Sequence, residues 1–320
     1  MTDATIRAAV VRKGHFAIET LPEPVPGAGQ VLVRTRKCGI CGSDLHLFKH
    51  AEEMMQAQRD LGLSPGDLSD GLILGHEFVA EIESFGPGCA ETLNIGDRVC
   101  SIPFLMTDGA IDSIGASVDT VGAYAEKLLL TEAVLVKVPD NVTDQAAALA
   151  EPVAIGVHAV NKAVMSDTDI PVVIGCGPIG LAVISVLKMR GYETIIAADL
   201  SPKRRELAAS MGATKAIDPR EANPYDGIDP TAQTIVFECT GAKGVLGGIV
   251  KQAPLKSKVI IAGIVSGDDS YNALVAVTKE LTFIFVTYYD PAEFVDALQA
   301  IADGHINWQA WITGEVGLAG

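Results

Sequence analysis

Residues 171–180 read Pro171-Val172-Val173-Ile174-Gly175-Cys176-Gly177-Pro178-Ile179-Gly180, and the helical pattern IGLAVISVLKMRG takes over at residue 179. A buried strand thus runs straight into glycines spaced G-x-G-x-x-G and then into a helix. Each glycine has a mechanical task there: Gly175 makes the tight turn, Gly177 lets backbone N–H groups approach a pyrophosphate, and Gly180 lets the helix pack closely on the strand. Pro178 and Ile179 complete this candidate dinucleotide-binding turn. Phosphates would sit at the helix N-terminus, whose unpaired N–H groups and dipole favour negative charge. A tight turn without ligand would use the same glycines, but the next strand ends at Asp199, 24 positions after Gly175, close to where an acidic residue takes the adenosine ribose hydroxyls. A carboxylate there repels a 2′-phosphate, so NAD is expected over NADP. Lys203, Arg204 and Arg205 follow, as acceptors for such a phosphate or as the solvated first turn of the next helix.

Outward from this turn, PVVIG, ETIIAAD, TIVFECTG and KVIIAGI are continuous apolar runs, as expected of parallel strands buried on both faces. Helical patterns alternate with them, which means βαβ units in a doubly wound α/β sheet. Before Pro139 the pattern is different. IRAAVV, HFAIET, QVLVRTR, FVAEIESFG, DRVCSI, AEKLLL and AVLVKV are short β-type runs separated by turn formers such as Pro22, Pro24, Pro26 and Gly27. The first half is therefore expected to be β-rich and barrel-like, and 320 residues are long for one core. Residues 49–63 have helix-forming composition and read as a surface insertion or a flap. A last amphipathic helix is expected over 292–303, followed by irregular chain.

With 24 basic and 40 acidic side chains the net charge is −16, and there is no basic cluster, so nucleic acid and anionic membrane are not expected as partners. The longest uncharged stretch, 170–187, contains Gly175, Gly177, Pro178 and Gly180 and is a poor membrane span. No apolar segment follows a basic start, so a cytoplasmic location is expected. Six cysteines (Cys38, Cys41, Cys89, Cys100, Cys176, Cys239) are too sparse for a disulfide scaffold. Those that matter should be ligands or nucleophiles.

Cys38-Gly39-Ile40-Cys41-Gly42-Ser43-Asp44-Leu45-His46 is followed by Gly75-His76-Glu77. Cys38 and Cys41 alone could be half of a zinc knuckle, or a redox pair, although the β-rich context is unlike a thioredoxin unit. The third option is a thiolate, an imidazole and one or two carboxylates around a catalytic zinc that keeps a position open.

KCGICGSDLH, GHE, GDRV, AEPVAIGVHAV and GCGPIG, in that order, resemble the zinc-dependent medium-chain dehydrogenases, most closely their sorbitol/polyol and secondary-alcohol branch. The resemblance runs from residue 6 to the end. It implies a GroES-like β-rich catalytic domain at 1–150, completed by 288–320, and a Rossmann NAD-binding domain at 151–287. It carries Cys41 and His76 over as zinc ligands, leaves Cys38 out, and makes Glu77 a ligand or a catalytic group behind the ligands. Glu151 stands where relatives with two cysteine ligands have the second one. Ser43 and His46 become a relay that carries the alcohol proton to solvent, while zinc stabilises the alkoxide oxygen and hydride passes from a secondary alcohol or polyol to NAD. Thr240 and Ile264 would line the nicotinamide pocket, an apolar lining accounting equally well for Ile264.

The chain departs from the family in three ways. Residues 101–124 contain no cysteine where many members carry a structural zinc lobe, so one catalytic zinc and no structural zinc are expected. Phe285 and Tyr288 stand where a glycine and an arginine are usual. The sequence stops at Gly320, ahead of a helix and strand that normally complete the catalytic domain, so an early end is expected. The apolar run LTFIFV resembles the strand that pairs across a two-fold axis in the family, which implies a homodimer or homotetramer. A zinc-free quinone or enone reductase of the superfamily and a non-catalytic dinucleotide-binding protein are the alternatives.

Overall fold

The computed structural model describes residues 4–12, 14–60, 67–107 and 109–318. The chain divides into two compact units, Met1–Glu151 with Ile312–Gly320, and Pro152–Trp311.

The first unit holds β1 (Thr5–Arg12), β2 (His15–Pro22), β3 (Gln30–Cys38), α1 (Gly42–Asp60), β4 (Leu72–Ile73), β5 (Phe78–Phe85), β6 (Arg98–Ser101), β7 (Phe104–Thr107), β8 (Ala110–Ser113), β9 (Lys127–Thr131), β10 (Leu135–Lys137) and α2 (Asp144–Ala147). The main sheet runs β10-β6-β5-β3-β9, beside a β2-β1-β4 sheet and a β7-β8 hairpin. Alternation along the strands buries Val31, Val33, Phe78, Ala80, Ile82, Leu128 and Leu130 in one core, each large side chain contributing roughly 1.5–3 kcal/mol. β3 and β5 pair antiparallel with two register shifts and end their ladder at Cys38↔Phe78. The bulges aim the end of β3 at the start of β5. Gly39 N–H then donates to the Glu77 carbonyl at 2.7 Å, which brings the two segments of the metal motif side by side.

The chain crosses to the second unit inside α3 (Ala150–Ala163) and continues with β11 (Ile170–Ile174), α4 (Pro178–Met189), β12 (Ile196–Ala198), α5 (Pro202–Met211), β13 (Lys215–Ile217), β14 (Thr234–Glu238), α6 (Val245–Gln252), β15 (Lys258–Ile261), α7 (Ala273–Thr278), β16 (Thr282–Phe285) and α8 (Pro291–Ala302). All six strands are parallel, in the order β13-β12-β11-β14-β15-β16. Counted within the unit this is 3-2-1-4-5-6, the Rossmann order, with its switch point between β11 and β14.

Two expectations need correction. The second crossing falls at Ile312 rather than residue 288, because α8 buries Phe294, Leu298 and Ile301 and its Glu293 accepts a 2.7 Å hydrogen bond from His158 of α3, all within the second unit. The helix expected over 49–63 already starts at Gly42; it breaks at His50 (φ −131°, ψ 32°) and is described to Asp60, so 61–63 and the start of the following loop lie outside the described residues. The cysteine-free stretch after β6 forms the β7-β8 hairpin.

Candidate metal centre and dinucleotide turn

One ligand atom each of Cys41, His76 and Glu77 lie within 4.8 Å of one another. Cys41 sits in the turn between β3 and α1, and His76 and Glu77 immediately precede β5. Ser43 Oγ pairs with His76 Nε2 at 3.2 Å. Glu151, also buried, acts electrostatically on both His76 and Glu77 but is not among the three grouped atoms. His46 Nδ1 is buried with no hydrogen-bond partner, and the His46 and His50 rings stand 6.2 Å apart. Cys38 instead points its thiol at the Gly39 carbonyl, 3.4 Å away.

The electrostatics of the three groups ask for a cation. Burial, and then repulsion from Glu151, push the Glu77 carboxyl upward. Burial likewise raises the Cys41 thiol, the His76 hydrogen bond opposing it. Burial works to lower the His76 imidazole, but Asp44, Cys41 and Glu151 outweigh it and raise it well above the ordinary value. A dication would relieve the crowding of acidic groups in this low-dielectric pocket. Glu77 Oε1 is moreover buried without a hydrogen-bond partner. Sulfur, nitrogen and carboxylate donors together suit zinc, so the residues fit that ion.

Two groups were not singled out in the sequence. Asp44, 2% exposed, faces His76 Nδ1 at 3.4 Å and accepts the Cys41 backbone N–H at 2.9 Å. The Tyr124 hydroxyl donates to Asp44 Oδ2 at 2.9 Å. Burial, then the Asp44 charge, push that phenol far above its ordinary range, so it acts as a donor. A second cluster, His158, Asp290 and Glu293, is also compact. There Glu293 is committed to the capping box of α8 and to His158 and Asn161, which accounts for its burial without an ion.

In the second unit the glycine turn has the expected form. Gly175 (φ +95°) leaves β11 with its N–H on the Ala198 carbonyl at 2.8 Å, Gly177 is the N-cap of α4, and Pro178 is at its start. Asp199 Oδ2 accepts the Cys176 N–H at 2.8 Å and its Oδ1 accepts the Ser201 N–H at 2.8 Å, so the carboxylate is locked beside the turn. Of the three basic residues that follow, Arg205 is tied to the Asp199 and Leu200 carbonyls and to Asp218, while Arg204 stays exposed, 3.8 Å from Asp199. Thr240 is held by Glu238, which accepts its backbone N–H at 2.8 Å and its hydroxyl. Ile264 is exposed on the loop after β15. Phe285 and Tyr288 are exposed too, Tyr288 at φ +55°.

The chain is similar to known proteins over nearly its whole length. Residues 27–140 match the alcohol dehydrogenase GroES-like domain and residues 178–303 the zinc-binding dehydrogenase family. The (R,R)-butanediol dehydrogenase of Bacillus subtilis is 29% identical over 93% of this chain and 88% of its own length. The sorbitol dehydrogenase of Halalkalibacterium halodurans is 29% identical over 94% of this chain and 89% of its own. Among solved structures, alcohol dehydrogenase TADH of Thermus sp. ATN1 superposes with a TM-score of 0.82 at 25% identity, covering 98% of this chain and 93% of that one. The chain belongs to the zinc-type medium-chain dehydrogenases, in their sorbitol/polyol branch. No helix among the described residues is long and apolar enough to cross a membrane.

Proposed function

We propose that the protein oxidises a secondary alcohol or polyol with NAD, using one zinc ion per chain held by Cys41, His76 and Glu77, with Glu151 as a neighbouring carboxylate. The observations that carry this reading are the grouping of one donor atom each from Cys41, His76 and Glu77 within 4.8 Å and the burial of Glu77 Oε1 without a hydrogen-bond partner. Bound there, zinc would polarise the substrate oxygen and lower the alcohol pKa. Ser43, beside His76, would take the alcohol proton, and His46, whose Nδ1 has no hydrogen-bond partner, would receive it and pass it outward. The glycine turn would hold the pyrophosphate on the α4 N-terminus. NAD is favoured over NADP because the locked Asp199 would meet a 2′-phosphate with like charge and Arg205 is committed elsewhere. The purified protein is expected to contain one zinc per chain. It should reduce NAD with at least one member of a panel of alcohols, polyols and polyol phosphates, and NADP about tenfold less efficiently or worse. Absence of zinc, or no reduction with any panel member, refutes the reading.

A homodimer or homotetramer is part of the same proposal. β16 is the last strand of the parallel sheet, its outer edge is unpaired among the described residues, and Phe285 is 73% exposed. An apolar edge of this kind is a template for another strand, and a second copy meeting it across a two-fold axis would cover it. Light scattering at micromolar concentration should give a dimer or tetramer, and Phe285→Lys should shift it toward monomer. A wild-type monomer would sink the assembly proposal.

A further inference from the structure

The Asp44 carboxylate is shared by both segments of the metal motif. Its Oδ2 takes the Cys41 N–H, and its Oδ1 faces His76 Nδ1 at 3.4 Å and the Gly75 N–H at 3.3 Å. A carboxylate on Nδ1 fixes the ring tautomer and leaves Nε2 as the ligand atom. What fixes Asp44 comes from a different part of the fold. Tyr124 lies 80 residues further along the chain. Its backbone N–H donates to the Leu74 carbonyl at 3.0 Å and its own carbonyl accepts the Ala9 N–H at 2.8 Å. Its ring fills the space beside Gly75, where an added Cβ would come within 2.7 Å of Tyr124 Cδ1. The backbone of the β-rich framework therefore delivers the phenol, whose hydroxyl lies 2.9 Å from Asp44 Oδ2 and, more distantly, 3.2 Å from the Gly39 carbonyl.

We propose that Tyr124 is a positioning residue for the metal centre: by donating to Asp44 Oδ2 it holds the carboxylate in the orientation that aims His76 and anchors the Cys41 backbone, and so sets how tightly the ion is held. The inference rests on the zinc reading given above. Asp χ2 is a soft torsion with broad minima. Without the hydroxyl, Asp44 Oδ2 keeps only the Cys41 N–H and the carboxylate is free to turn away from His76.

Tyr124→Phe keeps the ring and removes only the hydroxyl. Zinc affinity measured by competition with a chromophoric chelator should fall about tenfold, the lower end of what outer partners of metal ligands contribute. The visible absorption of the cobalt(II)-substituted protein should shift, while the melting temperature of the metal-free protein stays close to wild type. Asp44→Asn should weaken zinc at least as much. The double variant should be no weaker than Asp44→Asn alone, because Tyr124 acts through Asp44. Unchanged zinc affinity and cobalt spectrum in Tyr124→Phe, or additive losses in the double variant, overturn the inference while leaving the zinc reading intact. A wild-type chain that takes up no zinc overturns the zinc reading, and this inference with it.

Discussion

Cys41→Ala is expected to release the metal ion and lower kcat/KM by about 10³-fold or more, the several kcal/mol that Lewis-acid stabilisation of a developing alkoxide is worth. Cys41 supplies the sole sulfur of the three grouped donors. Without it, His76 faces two carboxylates, Glu77 and Glu151, whose mutual repulsion already raises Glu77. Alanine leaves a hole where an anionic ligand stood, and two oxygens and one nitrogen hold zinc less selectively than a set containing thiolate. NAD affinity should stay within about twofold of wild type, because the variant leaves every group of the Gly175–Gly180 turn in place. Cys38→Ala is the control. That thiol is half-buried, against the Gly39 carbonyl, so its loss should cost about 1 kcal/mol of stability and leave zinc bound. Full zinc and full turnover in Cys41→Ala would show that the ligand set is wrong.

The parts legible in the sequence were those whose physics is local. Continuous apolar runs declared buried parallel strands, and the three glycines declared the strand-to-helix turn, because each depends only on near neighbours in the chain. Cys41, His76 and Glu77 were legible as types in a pattern, but which carboxylate stands closest was not. Glu77 is brought to Cys41 by the bulged β3–β5 ladder, and no spacing encodes that register. Asp44 was in view inside the first segment and passed over, since nothing local marks which carboxylate will turn inward. Tyr124 carried no signal at all. Its partner lies 80 residues away, and the contact exists only after the backbone has been pinned between Ala9 and Leu74. The return of the chain at Ile312 was misplaced for a similar reason, as the side that α8 joins is decided by tertiary contacts such as His158–Glu293. Arg205 and Arg204 look alike in sequence. Only the turn geometry sends one to the Asp199 carbonyl and leaves the other exposed.

Gly180→Ala and Gly177→Ala should fail in different ways, and the difference tests the dinucleotide turn. A Cβ on Gly180 would stand 1.9 Å from the Gly175 carbonyl oxygen and 2.9 Å from its carbonyl carbon. The obstacle is backbone. Gly175 cannot retreat, because it is held at φ +95° with the Cys239 backbone and the Thr240 side chain packed behind it. Either α4 lifts off β11 or the turn opens. The first is overpacking worth about 1–3 kcal/mol or more, and the second removes the N–H groups that a pyrophosphate needs. Gly180→Ala is therefore expected to lower the melting temperature and to weaken NAD by about 100-fold, equivalent to roughly 2.7 kcal/mol. A Cβ on Gly177, in contrast, meets no protein atom within 4 Å, and at φ −74° alanine is unstrained there. Its melting temperature should match wild type. Its methyl group would nevertheless occupy the space a phosphate must enter if the turn binds a dinucleotide, so NAD affinity should still fall about tenfold or more. Calorimetric titration with NAD beside thermal unfolding separates the two. A Gly177→Ala protein that binds NAD as tightly as wild type would mean that the pyrophosphate lies elsewhere, and that these glycines serve only the packing of α4 on β11.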